Sequence, residues 1–398
     1  MSVYESRYER LPRAELEQFQ LERLQALVAR LRRNVRRSRE KLGDLRLETL
    51  ADLERLPFTT PEELAESFPY GMFAFPLREV IRLVSTPGPD GNPLVIGHTR
   101  NDLAQWSRLV ARQLAAAGVT AHDVIQIALG GSVHPGTTGY ALGAELLEAS
   151  VMVEDPLHID YQVAVLQNYR PTVLITTPSN ALELMRTLQT RRLDPQSLHL
   201  RTIVLSRPVP SEERDRLNAG LFARIYCNFG LGEILDPGLT VECEAGKLHV
   251  NEDQFLAEIC EGELVVTTLG REALPLLRYR TRVRGELSRE KCSCGRTGAL
   301  LAPGPRLDRR YRVREVVFYS QQIESVLART RAAGQRFHVE PNADRLVLAV
   351  EISENIFAKA ATYASDPKRE LESELLARLG VPAEVRFVEP QVPKSPEA

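Results

Sequence analysis

From residue 80 to about 230, short β-branched runs alternate with amphipathic helical text: VIRLV, LVIGH, a helix near 100 to 117, VIQIAL, a helix near 138 to 148, TVLIT, a helix near 180 to 192, TIVLS, a helix near 211 to 220, and ARIYCNF. That alternation predicts a doubly wound α/β domain, in which ligands sit outside the carboxyl ends of the strands. After Pro303-Gly304-Pro305 the pattern changes. Val316-Val317-Phe318 precedes a helix carrying Ile323, Val326 and Leu327, two strands (337 to 340 and 345 to 352), a helix carrying Leu371, Leu375, Leu376 and Leu379, and a last strand at 384 to 388. This order predicts a compact α+β domain over 305–398, beside a large domain over 1–304. With 398 residues, 43% of them hydrophobic, the chain can bury a large core.

The N-terminal stretch from 14 to 42 predicts one long helix, since Leu16, Phe19, Leu24, Leu27, Val28, Leu31 and Val35 recur at three and four. Its end carries Arg30, Arg32, Arg33, Arg36, Arg37 and Arg39, which interleave with the apolar stripe and read as a solvated face. A net charge of −2 gives no global pull toward nucleic acid or an anionic membrane. The chain has no apolar run of membrane-spanning length, and Tyr4, Glu5, Ser6 and Arg7 do not resemble a signal peptide. The expectation is a soluble cytoplasmic protein with no membrane or nucleic-acid partner.

In a reducing compartment, clustered cysteines point to a metal sooner than to disulfides. Cys243, His249, Cys292 and Cys294 offer three thiolates and an imidazole, a set that suits closed tetrahedral zinc of the structural kind. Cys-x-Cys is tighter than the usual Cys-x-x-Cys, so spacing alone also admits buried free thiols with a surface histidine. Cys227 and Cys260 lie in apolar strand text and read as core.

The richest text is Glu263 to Arg296: ELVVTT, then Leu274-Pro275-Leu276-Leu277, the basic strand Arg278-Tyr279-Arg280-Thr281-Arg282, and the Cys292/Cys294 knuckle. This run resembles the phenylacetate-CoA ligase family of adenylate-forming enzymes, whose members carry a close relative of TTL-x-x-EALPL-x-RYRTRD before a Cys-x-Cys-Gly-Arg knuckle. The resemblance extends in order along nearly the whole chain, through LPFTTPEELAESFPYGMFAFP, HTRNDLAQWSRLVARQLAAAGV, TTPSNALEL, FGLGE, and the C-terminal IESVL and FVEP. It implies a large adenylate-forming domain with a small C-terminal lid. It also implies ATP with magnesium, coenzyme A, an aromatic or acyl carboxylate as substrate, and a homodimer.

Residue by residue, the resemblance implies that Phe229 and Gly230 of FGLGE face adenine, that Glu233 helps hold magnesium, that Arg278 and Arg282 belong to the nucleotide-binding strand, and that Asp308 is the hinge between domains. Other positions depart from the pattern. The phosphate loop, Ser-Ser-Gly-Thr-Thr-Gly-Lys-Pro in relatives, reads Thr86-Pro87-Gly88-Pro89-Asp90-Gly91-Asn92-Pro93. Gly88 and Gly91 remain as candidate contacts, but two prolines delete amide donors, Asp90 adds negative charge and Asn92 replaces the lysine. As written, that stretch is turn chemistry between two strands. The aspartate that grips the ribose becomes Val283, the acidic adenine loop becomes Leu205-Ser206-Arg207-Pro208, and the serine of the Tyr-Gly-Leu-Ser-Glu motif becomes Gly232. Near the C-terminus only Lys394 approaches the activating lysine, and Glu315 replaces a loop glycine. His134 sits in the loop that matches the acyl-pocket stretch, where a solvated turn residue is the competing reading. The expected activity is therefore a phenylacetate-CoA ligase-like one with impaired adenylation, or a non-catalytic acyl- or aryl-binding protein on the same scaffold.

Overall fold

The computed structural model describes residues 3–89, 93–129, 135–153, 158–308, 310–313, 316–330, 332–340, 342, 344–351 and 366–388. The chain divides into a large unit, Met1–Thr86 with Pro93–Leu307, and a small unit whose main body begins at Asp308.

The large unit holds a parallel five-stranded sheet in the order Ser150–Val153, Val124–Ala128, Val173–Thr176, Thr202–Leu205 and Arg224–Cys227. Helices Pro135–Leu146, Ile159–Tyr169, Pro178–Arg191 and Ser211–Leu221 provide the crossovers that parallel strands require, and helix Arg100–Ala116 precedes the first of these strands. The α/β architecture expected from the alternating text is present, with three differences. Strand Ser150–Val153 and helix Ile159–Tyr169 escape the sequence reading, because the strand is four residues long and the helix follows without a strong stop signal. Residues VIRLV and LVIGH do not join the parallel sheet but pair with one another as strands Val80–Pro87 and Pro93–Thr99. A separate antiparallel sheet runs in the order Phe255–Cys260, Glu263–Thr268, Tyr279–Ser288, Leu300–Arg306, Leu248–Val250 and Thr240–Glu242.

The long N-terminal helix is split. Helix Arg13–Asn34 ends at Val35, which is extended (φ −114°, ψ 109°), and a second helix, Arg36–Leu42, follows. Val35 is buried, so the break seats its side chain in the core. Arg39 covers the helix end by donating to the carbonyls of Arg32 and Arg33, both at 2.7 Å. Arg30 donates to the carbonyl of Arg271, Arg32 to that of Leu45, and Arg36 and Arg37 pair with Glu40 and Glu66. Most of the basic cluster is thus paired within the chain while remaining at the surface, as a solvated face would be.

Helix Arg100–Ala116 begins with a reciprocal cap between Thr99 and Asp102. The same Asp102 carboxylate accepts the amides of Glu272 and Ala273 at 2.8 and 3.0 Å, which locks the helix start to the EALPL segment. The helix packs on Pro135–Leu146 through glycines: a Cβ on Gly139 would fall 2.5 Å from Trp106, and one on Gly143 2.5 Å from Val110. Gly139→Ala is therefore expected to cost about 1–3 kcal/mol by overpacking. Denaturant unfolding checks this, and an unchanged midpoint would show that Trp106 has room to move.

The small unit pairs Arg310–Val313 with Val316–Tyr319 and forms a three-stranded sheet, Phe337–Glu340, Leu346–Glu351 and Ala383–Val388. Helices Ser320–Leu327 and Pro367–Leu379 close its core of Ile323, Val326, Leu348, Leu371, Leu375 and Val385. Among the described residues no helix is long and apolar enough to cross a membrane.

Candidate functional site

The four metal-ligand candidates converge. Cys243 follows strand Thr240–Glu242, His249 lies in Leu248–Val250, and Cys292 and Cys294 sit in the loop before Leu300–Arg306, which pairs with His249. Their ligand atoms all lie within 4.8 Å of one another. Cys243 Sγ is 3.7 Å from Cys292 Sγ, and Cys294 Sγ is 3.4 Å from His249 Nε2. Tetrahedral zinc, with bonds of about 2.3 Å to sulfur and about 2.0–2.1 Å to nitrogen, requires edges of about 3.8 and 3.6 Å, so this group fits the ion. His249 Nδ1 donates to the carbonyl of Gly298 at 3.1 Å, which leaves Nε2 free to ligate.

Two turns shape the site. Gly246 (φ 70°) closes the Cys243–Lys247 hairpin, and Gly295 (φ 77°) donates to the carbonyl of Cys292. Burial pushes the Cys243 thiol up to about 11 and holds His249 below the usual imidazole value. At Cys292 burial also opposes ionisation, but donors from Cys294 and Cys243 bring its pKa below that of an ordinary thiol. The N-terminal segment fastens the knuckle from outside. Glu9 pairs with Arg296 at 2.7 Å and its carbonyl accepts the Thr297 amide, while Arg10 donates to the Cys294 carbonyl. Of the other cysteines, Cys227 is buried as expected, whereas Cys260 is only half-buried, at a strand end.

The nucleotide-site candidates separate into two groups. Phe229, Gly230 and Glu233 lie together in the loop after Arg224–Cys227, at the carboxyl end of the parallel sheet. Phe229 is half-buried against the core. A Cβ on Gly230 would meet Asp236 Oδ1 at 2.6 Å, so only glycine fits there. Glu233 is 5% exposed, and among the described residues no donor or cation contacts its carboxylate. A buried acid without a partner is suited to a hard cation such as magnesium. At Gly232 a Cβ would lie 3.1 Å from Thr86 Oγ1, so the buried Thr86 hydroxyl crowds the space a serine would need.

Arg278 and Arg282 form the second group, and both bond within the chain. Arg278 (φ 43°) is buried over the Phe58 ring. It donates to the carbonyls of Glu54 and Leu56, to both Glu258 oxygens and toward Cys260 Sγ, which uses its whole guanidinium inside the protein. Arg282 (φ 58°) donates its amide to Glu263 and its side chain to Glu62. Both arginines hold backbone in a sparsely populated conformation, and sequence reading missed this because their partners lie up to 224 residues away.

Val283 is 4% exposed and pairs in register with Arg306, so an apolar side chain faces the core where the resemblance expects a ribose ligand. In the loop after Thr202–Leu205, Ser206 Oγ and Arg207 Nη1 are buried without a partner among the described residues. Gly88 directly follows strand Val80–Pro87, and half-buried Asp308 opens the small unit. Gly91, Asp90, Asn92, His134, Glu315 and Lys394 lie outside the described residues.

Sequence reading also missed His98, in strand Pro93–Thr99. It stacks on Trp106 at 5.0 Å and is 3% exposed. Burial first, then the charges of Arg271 and Arg82, depress its pKa from 6.5 to about 2. The unfolded chain therefore takes up a proton below pH 6.5 that the folded chain refuses. This contribution to stability is complete above that pH and is lost as pH falls, by roughly 1.4 kcal/mol per pH unit at most. His98→Gln is expected to flatten the fall in unfolding free energy from pH 6.5 to 5, and an unaltered slope would assign it to other groups.

Comparison with known proteins adds to this geometry. Residues 315–397 match the family described as AMP-binding enzyme C-terminal domain. The chain is 35% identical to a phenylacetate-coenzyme A ligase of Thermus thermophilus, over 89% of this chain and 85% of that protein. It is 30% identical to one of Aromatoleum evansii, over 96% and 92%. Its fold is similar to that of 2-hydroxyisobutyryl-CoA ligase in complex with 2-HIB-AMP and CoA, with a TM-score of 0.86, 24% identity, and coverage of 98% of this chain and 90% of the other.

Proposed function

The chain belongs to the phenylacetate-coenzyme A ligase family, and from that premise we propose that it takes an aromatic or acyl carboxylate and is a ligase whose adenylation step is weakened. The family reaction joins such an acid to coenzyme A through an acyl-adenylate, with release of AMP and pyrophosphate. Glu233 would hold magnesium, which when bound neutralises triphosphate charge. Phe229 would stack on the base, Gly230 and Gly88 would let backbone approach the ligand, and Asp308 would serve as the hinge between a large domain and a C-terminal lid. Zinc at Cys243, His249, Cys292 and Cys294 would be structural, since all four positions are protein ligands. A homodimer is part of the same proposal.

The observation that supports the weakened step is that Val283, where the resemblance expects a ribose ligand, is apolar and buried. A second reading, a binding protein that has given up adenylation, is favoured by Arg207. A guanidinium only donates, so Arg207 cannot accept the hydrogen bond of the adenine amino group as an acidic side chain would. Calorimetric titration with phenylacetate and related acids, with and without ATP and magnesium, tests the proposal. Binding of an acid with slow thioester formation supports the ligase reading, and binding without any thioester supports the second. If none of the acids binds, both readings fail.

A further inference from the structure

The N-terminal segment from Val3 to Leu11 has no core of its own. Its helix, Ser6–Glu9, is a single turn, too short to be stable alone, and among residues 3 to 11 only Glu9 is buried. Polar contacts at two ends hold the segment in place. At one end Glu5 accepts from Arg112 at 2.7 Å, and Tyr8 lies under the same guanidinium at 5.5 Å. The other end is bonded to the Cys292/Cys294 knuckle. Glu9 pairs with Arg296 at 2.7 Å, the carbonyls of Glu9 and Leu11 accept from Thr297 at 3.0 and 2.8 Å, and Arg10 donates to the Cys294 carbonyl at 3.4 Å.

The knuckle is just as poor in apolar support. Residues 289 to 299 form no helix or strand, and only Cys294, Arg296 and Ala299 are buried there. What fixes such a loop is its ligand set. The residue that grips the N-terminal segment also serves that set, because the Arg296 amide donates to Cys294 Sγ at 3.5 Å while its guanidinium holds Glu9. Arg10 covers the turn between them: a Cβ on Gly295 would lie 3.5 Å from its Nε.

Glu9 makes the dependence sharp. One of its oxygens takes Arg296 and the other the Glu5 amide at 2.9 Å. If the knuckle opened, Arg296 would withdraw and leave a buried carboxylate without its cation, a state so costly that the segment must come out into water instead. Coupling of this kind runs both ways, so a docked segment also tightens the knuckle's hold on its metal.

We propose that residues 3 to 11 form a strap that docks on the metal-loaded knuckle and lets go when the metal leaves, which links metal occupancy to order at the N-terminus. This inference rests on the zinc reading and goes beyond it by naming the segment that zinc controls.

Hydrogen exchange of the full chain, zinc-loaded, stripped with a chelator and then reloaded, tests the link. The amides of Tyr8, Glu9 and Arg10 bond the carbonyls of Glu5 and Ser6. We expect them to lose protection on stripping and to regain it on reloading, while helix Pro367–Leu379 of the small unit stays unchanged. The reverse direction is read by competition with a coloured zinc chelator. Glu9→Gln is expected to bind zinc roughly tenfold more weakly, as loss of an outer support of a metal ligand does. Glu40→Gln, which changes only the exposed pair with Arg36, is the control. Arg10→Gln alters an exposed side chain and should shift affinity in the same direction even if Glu9→Gln does not fold. A chain that neither carries nor takes up zinc would overturn the zinc reading and the strap with it. Zinc that binds and leaves with the segment's protection unchanged, or zinc affinity unaltered in both Glu9→Gln and Arg10→Gln, would overturn the strap and leave the zinc reading standing.

Discussion

ATP is expected to bind roughly a thousandfold to a millionfold more weakly than a complete phosphate-and-ribose site would allow. Charge-assisted hydrogen bonds contribute roughly 1.5–3 kcal/mol each, and about three are missing, for a loss of roughly 4–9 kcal/mol before Asp90 repels the phosphates. At about 1.4 kcal/mol per tenfold, that converts to the stated range. Val283 supplies no acceptor for the ribose, Pro87 and Pro89 supply no amide, and Asn92 supplies no charge. Glu233 and Phe229 do not replace those donors. The measurement is calorimetry with ATP and magnesium, alongside pyrophosphate release over a panel of aromatic acids. Micromolar ATP affinity, or turnover on the order of one per second with phenylacetate, would sink the idea of a weakened step.

Protein purified without added metal is expected to carry one zinc per chain, and stripping it to unfold the knuckle and loosen the large unit. Structural zinc contributes roughly 10–16 kcal/mol of apparent binding free energy, so the effect should exceed that of any core truncation, at about 2–5 kcal/mol. Burial raises Cys243 to about 11, so ionising it without a cation is costly, and zinc entry should release protons. Elemental analysis with a pH-stat titration of the stripped protein checks both points. A stoichiometry near zero, or Cys292→Ser with its zinc intact, would leave the four residues as neighbouring thiols and a histidine.

Much of this was legible in the residues. Period and alternation located the helices and strands that carry strong apolar runs, and in the small unit the expected order of elements from Val316 onward matches that of the described residues, although strand Arg310–Val313 was not expected. The convergence of Cys243, His249, Cys292 and Cys294 was legible because thiols and imidazole are rare and only a few arrangements explain them together. What stayed hidden depends on distant partners. Val35 continues a helical repeat by spacing, yet the core it enters is built from segments such as Leu264 and Leu274, so no local signal marks the break. The partners of Arg278, at Glu54, Leu56 and Glu258, are marked by no local signal. The exchange at Gly232 reads as a plain loss until Thr86 is seen against it.

The split N-terminal helix also bears on how the protein is made. Leu24, Leu27 and Leu31 are buried in the same cluster as Leu264, Leu269 and Leu274, and Gln20 and Arg30 bond carbonyls at Glu252 and Arg271. On a ribosome adding about 5–20 residues per second, that helix is complete roughly ten to fifty seconds before the strands that cover it exist. Through that interval the part of its apolar stripe that those later segments cover faces solvent, and the arginines along it serve as a solubilising coat for the nascent chain.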